Sequence, residues 1–273
     1  MNLTETKTHA CLSFRSLGEF TSWSKHADDN VTNRMRDRAE WHGGISSMKE
    51  TLALADTGMV REGIEALALS EVERDREIVS QQFQTAYSVS GCDVDVARYL
   101  SGEPENMIDY TMADVSRTER IATLVVGVGV AGGTRVEVIR NHGRKLVALA
   151  EAIDAAAMQS EIWVEFTTGS PGKLSARIAV RIKAPGEPFD PGAAMFALTH
   201  PAFYRGMLFN ACHALPDKFV SGLSIGGSYG KCVYRYVHSE DYPDGAIYIP
   251  PIDYQADTAR HIDRVLTALD LLA

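Results

Sequence analysis

Six residues in mid-chain, Gly127-Val-Gly129-Val-Ala-Gly132, have the spacing of a loop that can cradle a phosphate. Glycines at the first, third and sixth places let the backbone approach an anion at the N-terminus of the next helix. The apolar run Ile121-Ala-Thr-Leu-Val-Val126 before the loop reads as a strand, and a helical stretch follows it, so the context fits. A dinucleotide loop also needs an acidic residue about 20 positions further on, at the end of the next strand. That position is Glu151, inside the predicted helix, while the next strand ends near Glu165. The spacing therefore favours a simpler reading, a tight strand-to-helix turn packed with small residues.

Other groups capable of chemistry are scattered. The eight histidines show no ligand spacing: His200 precedes Pro201, His213 lies near a helix end and His261 falls on the polar side of the last helix. His238-Ser-Glu240-Asp241, with Asp244 beyond, could hold a cation. Oxygen-ligand sites use a denser, more regular pattern, so it reads as an acidic turn. Glu103, Glu105 and Asp109 share one turn, and acid–base work would need burial to separate their pKa values. There is no P-loop. The four cysteines, Cys11, Cys92, Cys212 and Cys232, form no C-x-x-C pair, so neither zinc nor a disulfide framework is expected. No catalytic residue, metal ligand or cofactor is assigned. Arg135, Arg140, Arg144 and Lys145 form the compact basic cluster, a candidate contact for nucleic acid. Its competing reading is a solvated helix face, which the net charge of −9 favours.

The composition allows a large folded unit. Of the 273 residues 45% are hydrophobic and 23% charged, which is ordinary globular usage and argues against global disorder. No apolar run is long enough to cross a bilayer, and the N-terminus, Met1-Asn-Leu-Thr-Glu-Thr-Lys, lacks the apolar core of a signal peptide. The expected location is the cytoplasm of the producing cell.

The elements that would carry these groups fall into two parts, or into one continuous compact unit. Residues 1–120 read as mainly helical and irregular. Phe20 and Trp23 sit at helical spacing, and residues 28–40 read as a loop. Ser47-Met-Lys-Glu50 is a capping box, opening a short helix that Gly58 stops. A longer helix is expected over about 62–83, then loop and a short strand over 87–110. Residues 121–273 read as an α/β domain. Strands are expected at 121–126, 161–166 and 174–182, the last two joined by a hairpin turn at 167–173. Asp190-Pro191 starts a pair of helices. Strands at 219–225 and 246–249 and a helix over 255–272 complete the order. Alternating strands and helices imply a central, mixed but mostly parallel sheet flanked by helices on both faces, an A-like or Rossmann-like arrangement.

Two resemblances narrow the field. The stretch Gly91-Cys-Asp-Val-Asp-Val-Ala-Arg-Tyr-Leu-Ser-Gly-Glu-Pro-Glu-Asn-Met-Ile-Asp-Tyr110 resembles a segment of a poorly characterised bacteriophage and prophage protein family, as do Trp41-His-Gly-Gly44 and the helix ending at Gly58. That resemblance implies a phage origin and a host-cell setting or a place in the virion, and no activity. The element order from Ile121 onward is similar to a von Willebrand factor A-like domain. Such domains hold a metal through an Asp-x-Ser-x-Ser motif after the first strand, where this chain has Gly127-Val-Gly129-Val-Ala131. The resemblance thus implies a degenerate domain without its metal, used to bind another protein, of phage or host, at the strand-end loops. The residues it points to are Gly127, Gly129, Gly132, Thr134 and Thr168. The leading expectation is a non-enzymatic protein acting through protein–protein contact or assembly, self-assembly included. The alternatives are a nucleotide-binding enzyme using Gly127–Gly132 and a nucleic-acid-associated factor of phage replication or transcription.

Overall fold

The computed structural model of the chain describes residues 1–73, 81–114, 120–130, 134–156, 158–169, 173–223, 239–252, 258–269 and 271. Two strands open it, β1 (Asn2–Glu5) and β2 (His9–Phe14), followed by helices α1 (Leu17–Ser24), α2 (Thr32–Asp37), α3 (Met48–Thr57) and α4 (Val60–Glu73). Strands β3 (Gln81–Ser88) and β4 (Asp93–Val94), helix α5 (Val96–Leu100) and strand β5 (Met107–Asp114) come next. Then follow β6 (Ile121–Gly127), α6 (Val136–Ala155), the hairpin β7 (Gln159–Gly169) and β8 (Ser175–Lys183), and α7 (Pro191–Thr199). A π-helical stretch, Phe203–Leu208, leads into α8 (Phe209–Cys212) and α9 (Asp217–Gly222). A 3-10 turn at Ser239–Asp241 precedes β9 (Ile247–Ile249), and α10 (Thr258–Ala268) closes the order.

Local chemistry sets many of these boundaries. Ser47 accepts the Glu50 amide at the start of α3, and Glu50 reaches back to the Ser46 amide at 3.0 Å. Asp190 accepts the Ala193 amide at 2.9 Å at the start of α7, with Pro191 in the first turn, where its missing N–H costs nothing. The β7–β8 hairpin turns through Gly169 at a φ of 109°, where an added Cβ would lie 2.3 Å from the Leu174 carbonyl oxygen.

The main sheet has six strands in the order β1-β2-β8-β7-β6-β9. Strands β2 and β8, β6 and β7, and β6 and β9 pair in parallel; β1 with β2 and β7 with β8 pair antiparallel. The sheet is therefore mixed rather than mostly parallel, because the β7–β8 hairpin runs through its centre instead of adding an edge. The expected helical N-terminal region is also revised. It contributes two strands to this sheet, and β3, β5 and β4 form a separate three-stranded sheet. The helix expected over 62–83 ends as α4 at Glu73, and residues 81–88 pair as β3 with β5. The strand expected at 219–225 is instead helix α9 over its described part; of its six residues only Phe219 is buried, and Asp217 favours a helix start.

Alternation along the strands divides the sheet into two unlike faces. Ala10, Leu12 and Phe14 of β2 pair with Ala176, Ile178 and Val180 of β8. With Val164 and Phe166 of β7 and Leu124 and Val126 of β6 they make one apolar face. The helices bury Phe20, Met35, Leu146, Ile153, Phe196 and Val265 in the same cluster. Each such phenylalanine removed from water contributes about 2–3 kcal/mol, which is why the helices collect here. On the opposite face the same strands carry His9, Cys11, Glu165, Arg177 and Ala179, and a small second cluster forms around Tyr242. Among the described residues this face is covered by the segment from Ser239 to Ala246, and no helix is long and apolar enough to cross a membrane.

Candidate functional site

The described part of the glycine loop, residues 127–130, leaves the C-terminal end of β6, an interior strand of the main sheet. Because β6 and β7 are parallel, Gly127 pairs with Glu165, and Thr168 follows further along β7. An added Cβ at Gly127 would sit 2.5 Å from the Pro251 ring. The space that a phosphate would need at Gly127 is thus filled by proline, and the glycine serves close packing. Val128 and Val130 are buried, the Val128 amide donates to the Glu165 carbonyl at 2.9 Å, and the Tyr204 hydroxyl donates to the Val130 carbonyl at 3.1 Å. Gly129 continues this buried stretch, whereas Gly132 lies outside the described residues. Thr134 is buried at the foot of α6, whose N-cap Arg135 supplies no side-chain cap.

The other sequence candidates do not converge. Arg135 and Arg140 are exposed on α6, while Arg144 and Lys145 are half-buried and Arg144 reaches Glu65 at 3.4 Å. Glu103 and Glu105 are exposed, so burial does not separate them, and Glu103 pairs with Arg98 at 3.4 Å. Burial, with Arg140 nearby, lowers His200 to about 4, and its Nδ1 accepts the Ala202 amide at 3.2 Å. Burial lowers His213 as well, with Arg34 adding to the effect. Among the described residues no group of three metal-ligating side chains comes together.

Two features missed in the sequence stand out. The first is an ion-pair network on the second face of the sheet. Arg177, fully buried on β8, donates from Nε to Glu165 Oε2 at 2.8 Å and to Thr167 Oγ1 at 3.0 Å. From its Nη1 it donates to Asp241 Oδ2 at 2.5 Å. His9 sits between the Ser175 hydroxyl and the Asp241 carboxylate, at 2.9 Å from each. The Tyr248 hydroxyl donates to Glu165 Oε1 at 3.0 Å. Further along, Thr123 donates to Glu161 at 2.8 Å, and Arg181 reaches the same carboxylate at 3.2 Å. Burial works against the charge on Arg177, but the neighbouring carboxylates of Glu165 and Asp241 outweigh it and raise its affinity for the proton. Burial, reinforced by Asp241, pushes the Cys11 thiol up, and burial with Glu165 does the same to the Tyr242 phenol. Neither is an activated nucleophile. The network fastens the turn Ser239–Asp241 and strand β9 onto the sheet. Its signal in the sequence is charge at alternating positions within strands that are otherwise apolar. The acidic turn at Glu240-Asp241, considered for a cation, supplies Asp241 to this network.

The second feature is the arm formed by β3, β4, α5 and β5. Strand β3 pairs with β5 from Gln81 opposite Asp114 to Ser88 opposite Met107, and β4 adds to the other side of β5. Asp95 caps α5 by accepting the Ala97 and Arg98 amides. The strands of the arm pack chiefly on one another and touch the rest of the described chain only marginally. No residue from 87 to 109 is buried. Val89, Val96, Tyr99 and Leu100 expose 73%, 64%, 63% and 78% of their surface, unusual for residues of this size. The same stretch carries Asp93, Asp95, Glu103, Glu105 and Asp109 against a single basic residue, Arg98.

A family model described as a domain of unknown function (DUF7192) matches residues 3–273, and the chain belongs to that family. No curated protein and no solved structure matches it.

Proposed function

We propose that this member of the family works by protein–protein contact, and that the arm from Tyr87 to Asp109 is the contacting element. The observation that carries the reading is the joint exposure of Val89, Val96, Tyr99 and Leu100 in an acidic setting. An isolated small sheet gains little by displaying four large apolar side chains to water, whereas a partner that covers them gains their burial. The ion-pair network supports the same reading, since its carboxylates are held by Arg177, His9 and Tyr248 and its thiol and phenol are kept protonated. The resemblance over Gly91–Tyr110 falls on this arm, and a phage-type setting belongs to the proposal through that resemblance alone.

The test is affinity capture of the tagged full chain from the cells that produce it, beside a variant carrying Tyr99→Asp with Leu100→Asp. A stoichiometric companion, or the untagged chain itself, should be recovered with the natural arm and lost with the variant. Equal recovery with both proteins, or none with either, would overturn the reading.

A further inference from the structure

We infer that the arm takes a basic amphipathic helix of another protein, an apolar stripe bordered by lysine and arginine that packs across α5; this inference rests on the contact role proposed for the arm. Val96, Tyr99 and Leu100 stand at positions i, i+3 and i+4 of α5, so they share one side of the helix, and all three are exposed. Arg98 turns the other way, with its guanidinium 3.9 Å from the centre of the Tyr87 ring on β3. Helix α5 therefore keeps its cation against the arm and its apolar side towards water.

Carboxylates stand at both ends of this helix. Asp95 caps its start, accepting the Ala97 and Arg98 amides at 3.0 and 3.1 Å. The acidic turn after it is tied back by Arg98, which reaches Glu103 at 3.4 Å and donates from Nη1 to the Glu105 carbonyl at 3.1 Å. Asp93 lies on β4 opposite Ile108, the neighbour of Asp109. The whole chain has a net charge of −9, and residues 87–109 carry five carboxylates against one arginine. Nearly half of the excess negative charge thus sits in less than a tenth of the chain. Such a surface repels nucleic acid and anionic lipid, and a second copy of this acidic chain offers it no opposite charge overall. A basic surface gains from the same field, in rate of encounter and in selectivity. An amphipathic helix meets both demands with one element, since its apolar stripe covers Val96, Tyr99 and Leu100 and its borders carry the cations.

The experiment is fluorescence anisotropy of the full chain with three labelled helical peptides, each about 18 residues long so that a helix can form. All share one leucine stripe, and the other face is lysine, glutamine or glutamate. Three variants accompany the natural chain: Tyr99→Ala with Leu100→Ala, Asp93→Asn with Glu105→Gln, and Asp37→Asn with Glu137→Gln as a control of equal charge outside the arm. All of the altered residues are exposed, and a thermal melt of each variant checks the fold. The lysine peptide should bind the natural chain, more weakly at high salt, with glutamine weaker and glutamate weakest. The alanine variant should lose about tenfold or more, as removal of a central aromatic contact does. The Asn/Gln variant of the arm should lose about threefold or more and respond less to salt, each exposed ion pair being worth up to about fivefold. The control should bind as the natural chain does. Absence of lysine-peptide binding would overturn the basic-helix assignment, as would equal binding of all three peptides. So would a control that falls as far as the arm's charge variant, or arm variants that bind as the natural chain does. Should any of these occur while capture from cells still depends on Tyr99 and Leu100, the contact role stands and only the basic helix falls.

Discussion

Arg177 and Arg98 have matching surroundings in kind. Each guanidinium lies near a tyrosine ring, Tyr242 at 5.1 Å and Tyr87 at 3.9 Å, and each pairs with a glutamate, at 2.8 and 3.4 Å. They differ in solvent. The Arg177 side chain is 0% exposed beneath the segment that covers the sheet, and that of Arg98 is 35% exposed on the arm. Water screens the second pair and leaves it worth a fraction of a kcal/mol. It is absent from the first, where every charge depends on the partner the fold supplies. One region uses its charges to hold two parts of the chain together; the other displays them.

The largest expected effect tests that contrast directly. Arg177→Met leaves the Glu165 and Asp241 carboxylates buried without their cation and should cost about 3–5 kcal/mol in urea unfolding. Arg98→Met in the arm should cost less than about 1 kcal/mol in the same assay; equal costs would erase the distinction.

Acid should separate the two regions next. His142 and His200, both in the body, are each lowered by burial to about 4 from an ordinary value of 6.5, while residues 81–114 contain no histidine. Between those pH values the unfolded chain binds protons that the folded chain refuses, so stability falls as pH drops from 6.5 towards 4. The loss reaches up to about 3 kcal/mol for each histidine. Unfolding free energies measured across this window should show the decline, and His200→Gln should reduce it by about half, His142 supplying the rest.

Smaller changes refine the picture. Thr123→Val removes one of the hydrogen bonds to buried Glu161 and should cost about 1 kcal/mol in urea unfolding. Leu100→Asp, at a residue 78% exposed, should change stability by no more than about 0.5 kcal/mol while lowering recovery of a companion in affinity capture. A large loss of stability there would place Leu100 among the residues that hold the fold.

Much of the α/β body is legible in the sequence, because its signals are local. The continuous apolar run at Ile121–Val126, the hairpin glycines around residue 169 and the Asp190-Pro191 helix start each act within a few positions. The N-terminal strands are harder to read. Ala10, Leu12 and Phe14 alternate with His9, Cys11 and Ser13, but this short alternation becomes an interior strand through pairing with distant β8 as well as with β1. The ion-pair network is hard to read for the same reason: alternating charge marks Glu165 and Arg177 on one hairpin, but His9 and Asp241 come from distant parts of the chain. The glycine loop misleads in the other direction. Its spacing suits a phosphate, yet the partner that makes glycine necessary at 127 is the ring of Pro251.

The parallel pairing of β2 with β8 also governs how the protein can be made. His9 meets Ser175 across 166 positions of sequence. A ribosome adding about 5–20 residues each second needs roughly ten seconds or more to bring the second strand out after the first. During that interval the β1–β2 hairpin has an unpaired edge, and its apolar face has only the early helices, such as α1 with Phe20 and Trp23, to pack against. The nascent chain therefore passes through a stage in which its first-made strands are its most adhesive part. Slow synthesis lengthens that stage, and a chaperone that shields the first residues would shorten the list of ways the chain can go wrong.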